Sequence, residues 1–400
     1  MGLGLALKSL GHHPVLAVTR AYQPYVEAAG LECRPIRPEG DLSDRATVSR
    51  IMDPVRGPEF LIRQVMMPHL RDMYDDLADI SRDADVVVSH PLTFAAPVLC
   101  EKRGLPWASS VLAPLSFFSR EDPPQALPGP FAARLYHRWP GVMASMNAIG
   151  LGLTRRWTKP VDALRTSLGL PRGENPVGAG QFSPHLTLAL FSAALAAPQS
   201  DWPPHTVVTG AIRYDAIHGT MGDDLLRFLD AGPPPVVFTL GSAAVDSRRA
   251  ERFYQISAEA AAALGVRAVL LTGRDANRPR TIADSCFVAD WAPHSELFPR
   301  AAAVVHQGGA GTLHTALAAG RPMLIVPFAH DQPDNAARTE RLGVARVLYP
   351  HKYSPARVRS ALEGLLSDSA VAARAGEVAV QVRAEDGAMT AARALASFRT

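Results

Sequence analysis

The sequence predicts an α/β protein built from two doubly wound parallel sheets. Short apolar runs alternate with helical stretches, the alternation occurs in two series, and a proline-rich break separates them. A length of 400 residues suits two domains of ordinary size, each with enough material for its own core.

The first element is a helix. Leu3, Leu7 and Leu10 recur at helical spacing, Gly11 is a stop signal, Pro14 prevents continuation, and residues 15–18 form a short buried-strand run. An αβ unit that opens on its helix has two explanations: the fold begins this way, or a strand precedes Met1. Lys8 interrupts the apolar stretch, no basic region comes before it, and Gly11-His12-His13-Pro14 is no small-residue cleavage site, so a secretion signal is not expected.

Further strands are predicted at 85–90, 107–112 and 186–191, with helices at 59–82 and 93–103. Residues 123–130 break the rhythm, and 131–168 read as a helical insertion over the sheet. The second series holds strands at 236–240, 268–272, 286–289, 303–306, 323–326 and 345–348. The boundary falls within 201–235. The expected organisation is a first domain over 1–205, a second over 206–384, and a final helical segment, 385–400, that packs back across both.

Composition excludes several classes. Lys plus Arg number 41 against 38 Asp plus Glu with no basic block, which gives nucleic-acid binding little electrostatic support. Cys33, Cys100 and Cys286 form neither a C-x-x-C pair nor an even framework, so zinc and structural disulfides are not expected. No apolar run reaches the roughly 18 residues of a membrane span. The chain reads as cytoplasmic, and peripheral contact with a membrane surface stays open.

The richest stretch runs from Val304 to Pro322: strand, glycine-rich turn, helix. Gly308, Gly309 and Gly311 let a ligand approach the backbone, and the helix that follows aims unpaired N–H groups and its positive dipole end at the turn. His306 and Thr312 can each donate a hydrogen bond to a phosphate oxygen. A plain tight βα turn with a satisfied histidine is the alternative. The spacing is not G-x-G-x-x-G and the turn does not open a βαβ unit, so NAD is not indicated.

Asp290-Trp-Ala-Pro-His294 ends the strand before this turn, and Phe328-Ala-His-Asp-Gln-Pro-Asp-Asn335 follows the strand after it. The combination of Trp291-Ala-Pro-His, His306-x-Gly-Gly-x-Gly-Thr, Gly320-Arg-Pro and Asp331-Gln332 resembles the nucleotide-sugar signature of family 1 glycosyltransferases, the two-domain GT-B enzymes. The bacterial branch acting on sterols, flavonoids, macrolides and lipids is the most similar. Ser89-His-Pro-Leu, Leu112-Ala-Pro-Leu-Ser-Phe-Phe, Ala197-Pro-Gln-Ser-Asp-Trp-Pro and Thr239-Leu-Gly-Ser extend the resemblance over nearly the whole chain.

The resemblance implies two facing Rossmann-like domains with a cleft between them. It implies that Trp291 stacks on the nucleobase, with Ala292 and His294 near base and ribose. His306, Gly308, Gly309, Gly311 and Thr312 would hold the diphosphate, closed by Gly241 and Ser242, and Asp331 and Gln332 would bind the sugar hydroxyls. Either of the last two could instead cap the helix behind them. Where many plant members carry Glu for the ribose, this sequence has His314, a poorer bidentate acceptor, so a UDP-linked and a dTDP-linked donor both remain open.

The reaction implied is inverting hexosyl transfer to a hydroxyl of a hydrophobic small-molecule or lipid acceptor. It requires no metal and no cofactor beyond the donor as co-substrate. Asp83-Ala-Asp85 is a D-x-D, but it lies at the amino end of its strand, away from the cleft. In the family the base is a His, or the Asp of a Gly-Asp turn, on the loop after a first strand. The expectation is therefore that about 15 to 20 residues carrying this strand and loop precede Met1. His12 and His13 sit at the wrong end of their helix; His90, ending a strand on the correct side, is the remaining candidate. Competing classes are a nucleotide-sugar-binding protein without transfer and a GT-B sugar-nucleotide epimerase. Phe117, Phe118, Trp139, Met143 and Met146 offer apolar surface for an acceptor, with core packing as the default. Acceptor identity and oligomeric state are not determined at this level.

Overall fold

The computed structural model describes residues 1–39, 44–214, 219–241, 247 and 249–398. Among the described residues the second domain holds six strands: β7 (Val236–Thr239), β8 (Ala268–Leu271), β9 (Cys286–Ala289), β10 (Ala303–His306), β11 (Met323–Ile325) and β12 (Ala345–Val347). All pair in parallel in the order β12-β11-β10-β7-β8-β9. Because both faces are covered, the strands read as continuous apolar runs rather than alternating ones. Val236 and Phe238 face a cluster with helix Ala250–Leu264, while Val237, Val304 and Val269 face one with helices Ala310–Ala319 and Ser369–Ala384.

Strand order reverses between β7 and β10. In an open parallel sheet that is the point where adjacent connections leave in opposite directions and open a crevice at the carboxyl ends. Gly241 follows β7 and Gln307-Gly308-Gly309 follows β10, so the topology itself sets these two turns side by side.

The first domain carries β1 (Val15–Val18), β2 (Glu32–Pro35), β3 (Val87–Ser89), β4 (Trp107–Val111), β5 (Thr187–Ala189) and β6 (Thr206–Val208). Among the described residues they form two parallel sheets, β1-β2 and β3-β4-β5-β6, with no ladder between them. The first helix, Gly2–Ser9, spans both. Leu3 and Leu7 pack against the cluster of Ala108, Leu186, Leu188, Ala391 and Leu395, and a Cβ on Gly4 would lie 3.0 Å from Leu16 Cδ1. β6 pairs with β5, so the first sheet extends past residue 205 through Val208. The sequence pattern misses β2 and β6; Glu-Cys-Arg-Pro and Thr-Val-Val are too short and too polar to register as apolar runs. The helix expected over 59–82 is interrupted: a π-type turn over Leu61–Met66 and a 3₁₀ turn over Met67–His69 precede Leu70–Ile80. Pro68 lacks the N–H that a regular helix requires there.

The chain crosses between the domains more than once. Val48 and Met52, from helix Arg45–Ile51 and the residue after it, are buried in the second domain's cluster with Phe328 and Ala329. The last helix, Gly387–Ala396, returns to the first sheet, where Ala391 and Leu395 pack on Ala108, Leu186 and Leu188. The segment 131–168 is helical, as Pro130–Arg138, Pro140–Thr154 and Lys159–Ser167.

Candidate active site

The crevice is lined by turns that only small residues permit. Gly308 has φ of +89°, and a Cβ there would stand 3.0 Å from Ile325 Cγ2 and 3.3 Å from the Gln332 carbonyl oxygen. Gly241, with φ of +60°, is pressed against the opposite side: its Cβ would fall 2.5 Å from Gln307 Nε2 and 3.1 Å from Thr312 Oγ1. Both positions need glycine for backbone conformation and for space. A Cβ on Gly311 would meet nothing within 4 Å, so the room in front of the helix lies there. Ser242 lies outside the described residues.

Helix Ala310–Ala319 starts from Gly309 with no side-chain cap and no acidic residue in its first turn. Its leading N–H groups and dipole therefore face the crevice uncompensated, the condition that favours an anion. Two buried polar atoms beside it lack partners, His306 Nε2 and Gln307 Oε1. His306 is fully buried, and its Nδ1 accepts the Gly308 N–H at 3.1 Å, which places the ring proton on Nε2. Burial, with a smaller effect of nearby His294, pushes its pKa down to about 3, so the ring stays neutral and Nε2 is an unspent donor.

Trp291 follows β9 and is half-buried; Ala292 is buried. The short helix His294–Leu297 packs beside Ala310–Ala319, and the His294 ring stacks on Phe298 at 4.4 Å. The structure thus brings the Trp291-to-His294 turn to the flank of the glycine turn.

Asp331 and Gln332 open helix Gln332–Arg341, and neither side chain caps it. Gln332 Oε1 accepts the N–H groups of Phe328 (2.8 Å) and Ala329 (3.2 Å), which leaves its amide N–H₂ as the group still able to donate. Asp331 Oδ2 accepts from Asn335 Nδ2 at 2.8 Å, and the same nitrogen donates to the Gly308 carbonyl oxygen at 2.9 Å. Asn335 therefore couples the glycine turn to Asp331, a role sequence reading missed although the residue lies in the quoted motif. Burial raises the Asp331 pKa to about 6 against the Asn335 hydrogen bond. His330, just before, holds a left-handed φ of +60° with its Nε2 buried and unpartnered, a strained position at the end of this loop.

His314 differs from the expectation. Its Nε2 accepts the Ser192 backbone N–H at 3.1 Å, so its Nδ1 carries the proton and donates to the Ala310 carbonyl oxygen at 2.7 Å. Both nitrogens are occupied within the protein, leaving none for a ribose hydroxyl. Ser192 Oγ in turn donates to Glu385 Oε1 at 2.8 Å, so His314 belongs to a contact that ties the loop after β5 to the second domain.

The other candidates also acquire definite places. His90 follows β3 and reaches solvent, though surrounding protein lowers its pKa. Its Nδ1 accepts the Leu92 N–H at 3.2 Å, which makes Nε2 a donor and leaves neither nitrogen with a free lone pair. His13 pairs with Glu32 at 2.8 Å at the amino end of β1 and β2. The apolar acceptor residues do not gather into a pocket. Phe117 is buried and stacks on Trp202 at 4.3 Å, Met143 is core, and Trp139 and Met146 face solvent.

One constellation had no sequence signal, because its members are far apart in the chain. Arg338, buried on helix Gln332–Arg341, donates from Nε to Asp334 Oδ2 at 2.7 Å and from Nη1 to Asp122 of the first domain. The Gln125 N–H donates to Asp334 Oδ1 at 2.8 Å. The segment after β4 is thereby fastened to the helix that begins with Gln332.

Comparison with known proteins gives this geometry its family. Residues 259–396 match the family described as Erythromycin biosynthesis protein CIII-like, C-terminal domain. The chain is 31% identical over 405 residues to the O-mycaminosyltylonolide 6-deoxyallosyltransferase of Streptomyces fradiae, covering 97% of this chain and 91% of that protein. It shares its fold with the glycotransferase of kitacinnamycin, at a TM-score of 0.71 and 23% identity over 99% of this chain and 94% of the other. The glycosyltransferase VinC, solved in complex with dTDP, gives a TM-score of 0.67 at 22% identity over 98% and 94% of the two chains. The chain belongs to the family 1 GT-B glycosyltransferases and is a glycosyltransferase.

Proposed function

We propose that this enzyme moves a hexosyl group, with inversion, from a UDP- or dTDP-linked donor to a hydroxyl of a hydrophobic small-molecule acceptor. The observation that carries the reading is the uncapped helix N-terminus behind Gly308 and Gly309, flanked by the buried, unpartnered Nε2–H of His306. A macrolide-type acceptor is supported by the named Streptomyces fradiae relative, and a dTDP-linked donor by the dTDP seen in VinC.

In this reading the acceptor oxygen forms a bond to the anomeric carbon from the face opposite the diphosphate. The bond to the diphosphate oxygen breaks, and the acceptor proton passes to a base. Charge growing on the leaving oxygen is met by the helix N–H groups and His306, which are already oriented and buried, so little reorganisation is needed. Asp331 accepts, and the Gln332 amide donates, hydrogen bonds with the sugar hydroxyls. Trp291 stacks on the base. No residue of the crevice is assigned to a metal.

A second reading, donor binding with slow transfer, is favoured by one observation. Of the residues immediately following β1 to β6, only His90 is titratable, and its Nδ1 is taken by the Leu92 N–H, which leaves Nε2 a donor and not a base. The deciding experiment titrates UDP and dTDP into the chain and its His306→Ala variant, then follows single turnover with a donor and macrolide aglycones. Nucleotide binding weakened at least about tenfold in the variant supports the diphosphate site, as loss of a charge-assisted hydrogen bond requires. Equal binding by both chains refutes it. Binding with no transfer on any acceptor selects the second reading.

A further inference from the structure

The helix Pro140–Thr154 has no charged residue, and its outward face is apolar. Trp139, Val142, Met146, Ile149 and Leu153 are all exposed, Ile149 by 67%. Steps of three and four residues keep these five side chains within an arc of about 80° on the helix surface. Met143, Ala144, Asn147 and Thr154 occupy a separate arc and are buried against the protein. Between the two lie Gly141, Ser145, Ala148 and Gly152, and the Ser145 hydroxyl is satisfied by the Gly141 carbonyl oxygen at 3.0 Å. The solvent side of the helix thus presents no unsatisfied polar side chain. Phe131, on the preceding helix, is 73% exposed.

Such a face needs cover, and the surrounding charge says of what kind. Residues 123–161 contain no Asp or Glu. Arg134 and Arg138 precede the stripe, Arg156 and Lys159 follow it, and all four are exposed. Arg138 also lies 5.9 Å over the Trp139 ring, at the junction of the apolar and basic surfaces. Arg155 is neutralised by Asp162 at 3.2 Å and does not count towards this charge.

We propose that this helix is a membrane-surface anchor that lies in the interface of an anionic bilayer. Its 15 residues extend about 22 Å, too short to span, and no described helix is long and apolar enough to cross a membrane. Lying flat, it buries the apolar stripe among acyl chains, while Arg134, Arg138, Arg156 and Lys159 meet anionic headgroups and Trp139 sits at the boundary. A second copy of the chain is a poorer partner. Antiparallel pairing of two stripes would set Arg138 of one protomer beside the Arg156 end of the other, with no acidic residue in the segment to offset the repulsion.

The test is flotation of the full chain with vesicles of phosphatidylcholine alone and of phosphatidylcholine with phosphatidylglycerol, at low and high salt. The expected result is binding to the anionic vesicles, weakened by salt, and little binding to the neutral ones. Each basic side chain near an anionic surface contributes about fivefold, so Arg156→Ala with Lys159→Ala lowers partitioning roughly 25-fold. Val142→Glu with Ile149→Glu abolishes binding while thermal stability and nucleotide binding stay as in the parent, because both positions are exposed. Vesicle binding unaffected by Val142→Glu with Ile149→Glu overturns the proposal, as does equal binding to neutral vesicles. Absence of vesicle binding overturns it too, whether the chain is monomeric or forms a dimer that these substitutions dissociate.

Discussion

Arg338→Met puts the link between the domains to a quantitative test. The guanidinium is 2% exposed, and Asp334 beside it is also buried. Burial opposes the charge on Arg338, but Asp334 and Asp122 outweigh it and its pKa is raised. Replacing it with Met keeps the volume roughly filled but strands the Asp334 carboxylate, whose remaining partner is the Gln125 N–H. Breaking a buried pair from one side costs about 3–5 kcal/mol. Asp122→Asn removes the other carboxylate, but Arg338 keeps Asp334, and Asp122 is partly exposed, so about 1 kcal/mol is expected. Arg338→Met with Asp334→Leu should recover much of the loss, because no buried charge remains unpaired. Urea unfolding followed by tryptophan fluorescence would compare the variants, taking the first transition of a two-domain chain rather than one global free energy. The segment after β4 would also lose its seat on the helix that begins with Gln332, and a displacement of that kind lowers kcat/KM by about 100-fold. If Asp122→Asn proved as damaging as Arg338→Met, or the double replacement no milder, the reasoning would fail.

The glycine turn gives a contrasting pair. Gly308→Ala, at φ of +89° with Ile325 and Gln332 in the way, should cost at least about 1–2 kcal/mol of stability in thermal or urea unfolding. Gly311→Ala, with open space around the new Cβ, should leave stability unchanged while weakening nucleotide binding in calorimetry. Asp331 titrates near 6, so nucleotide-sugar affinity should fall as pH drops below about 6, where the carboxylate becomes a protonated, poorer acceptor. Asp331→Asn should flatten that profile, and a parent profile flat from pH 5 to 8 would count against the role. Burial takes the His306 pKa to about 3 and that of His314 to about 4, below the ordinary value near 6.5. Between those limits the unfolded chain binds more protons, so their contribution is complete above about pH 6.5 and is lost as pH falls, by up to about 1.4 kcal/mol per pH unit for each ring. Asp331, with a raised pKa, acts in the opposite sense between about 4 and 6. His314→Gln should reduce the slope of stability against pH over 4.5–6 by close to one proton; an unchanged slope would refute the assignment.

Local features carried much of the fold and of the candidate donor site. The runs that became β7 to β11 are apolar because both faces of a parallel sheet are covered, and such runs are visible without knowing the neighbours. The turn Gln307-Gly308-Gly309 and the helix from Ala310 are adjacent in the chain, so the cradle they form could be read from spacing alone. Asp331 and Gln332 were likewise legible as a pair, but not the reason both are free of the helix cap. That depends on Asn335 reaching back to Gly308 and on the Phe328 and Ala329 N–H groups.

Tertiary structure decided which polar groups remain available. His314 stands where the family resemblance implies a ribose ligand, yet Ser192, 122 residues away, occupies its Nε2. His90 stands at the correct end of its strand, and there a local contact, the N–H of Leu92 two residues on, sets its tautomer. Trp139 and Met146 were apolar candidates for an acceptor pocket; only the packing of Met143 and Asn147 turned them outward. The order of residues determined the sheets, the glycine turn and the family, because those depend on neighbours a few positions apart. The link from Asp122 to Arg338 and the occupied Nε2 of His314 arise from residues that meet only when both domains have folded, which is why no local pattern announced them.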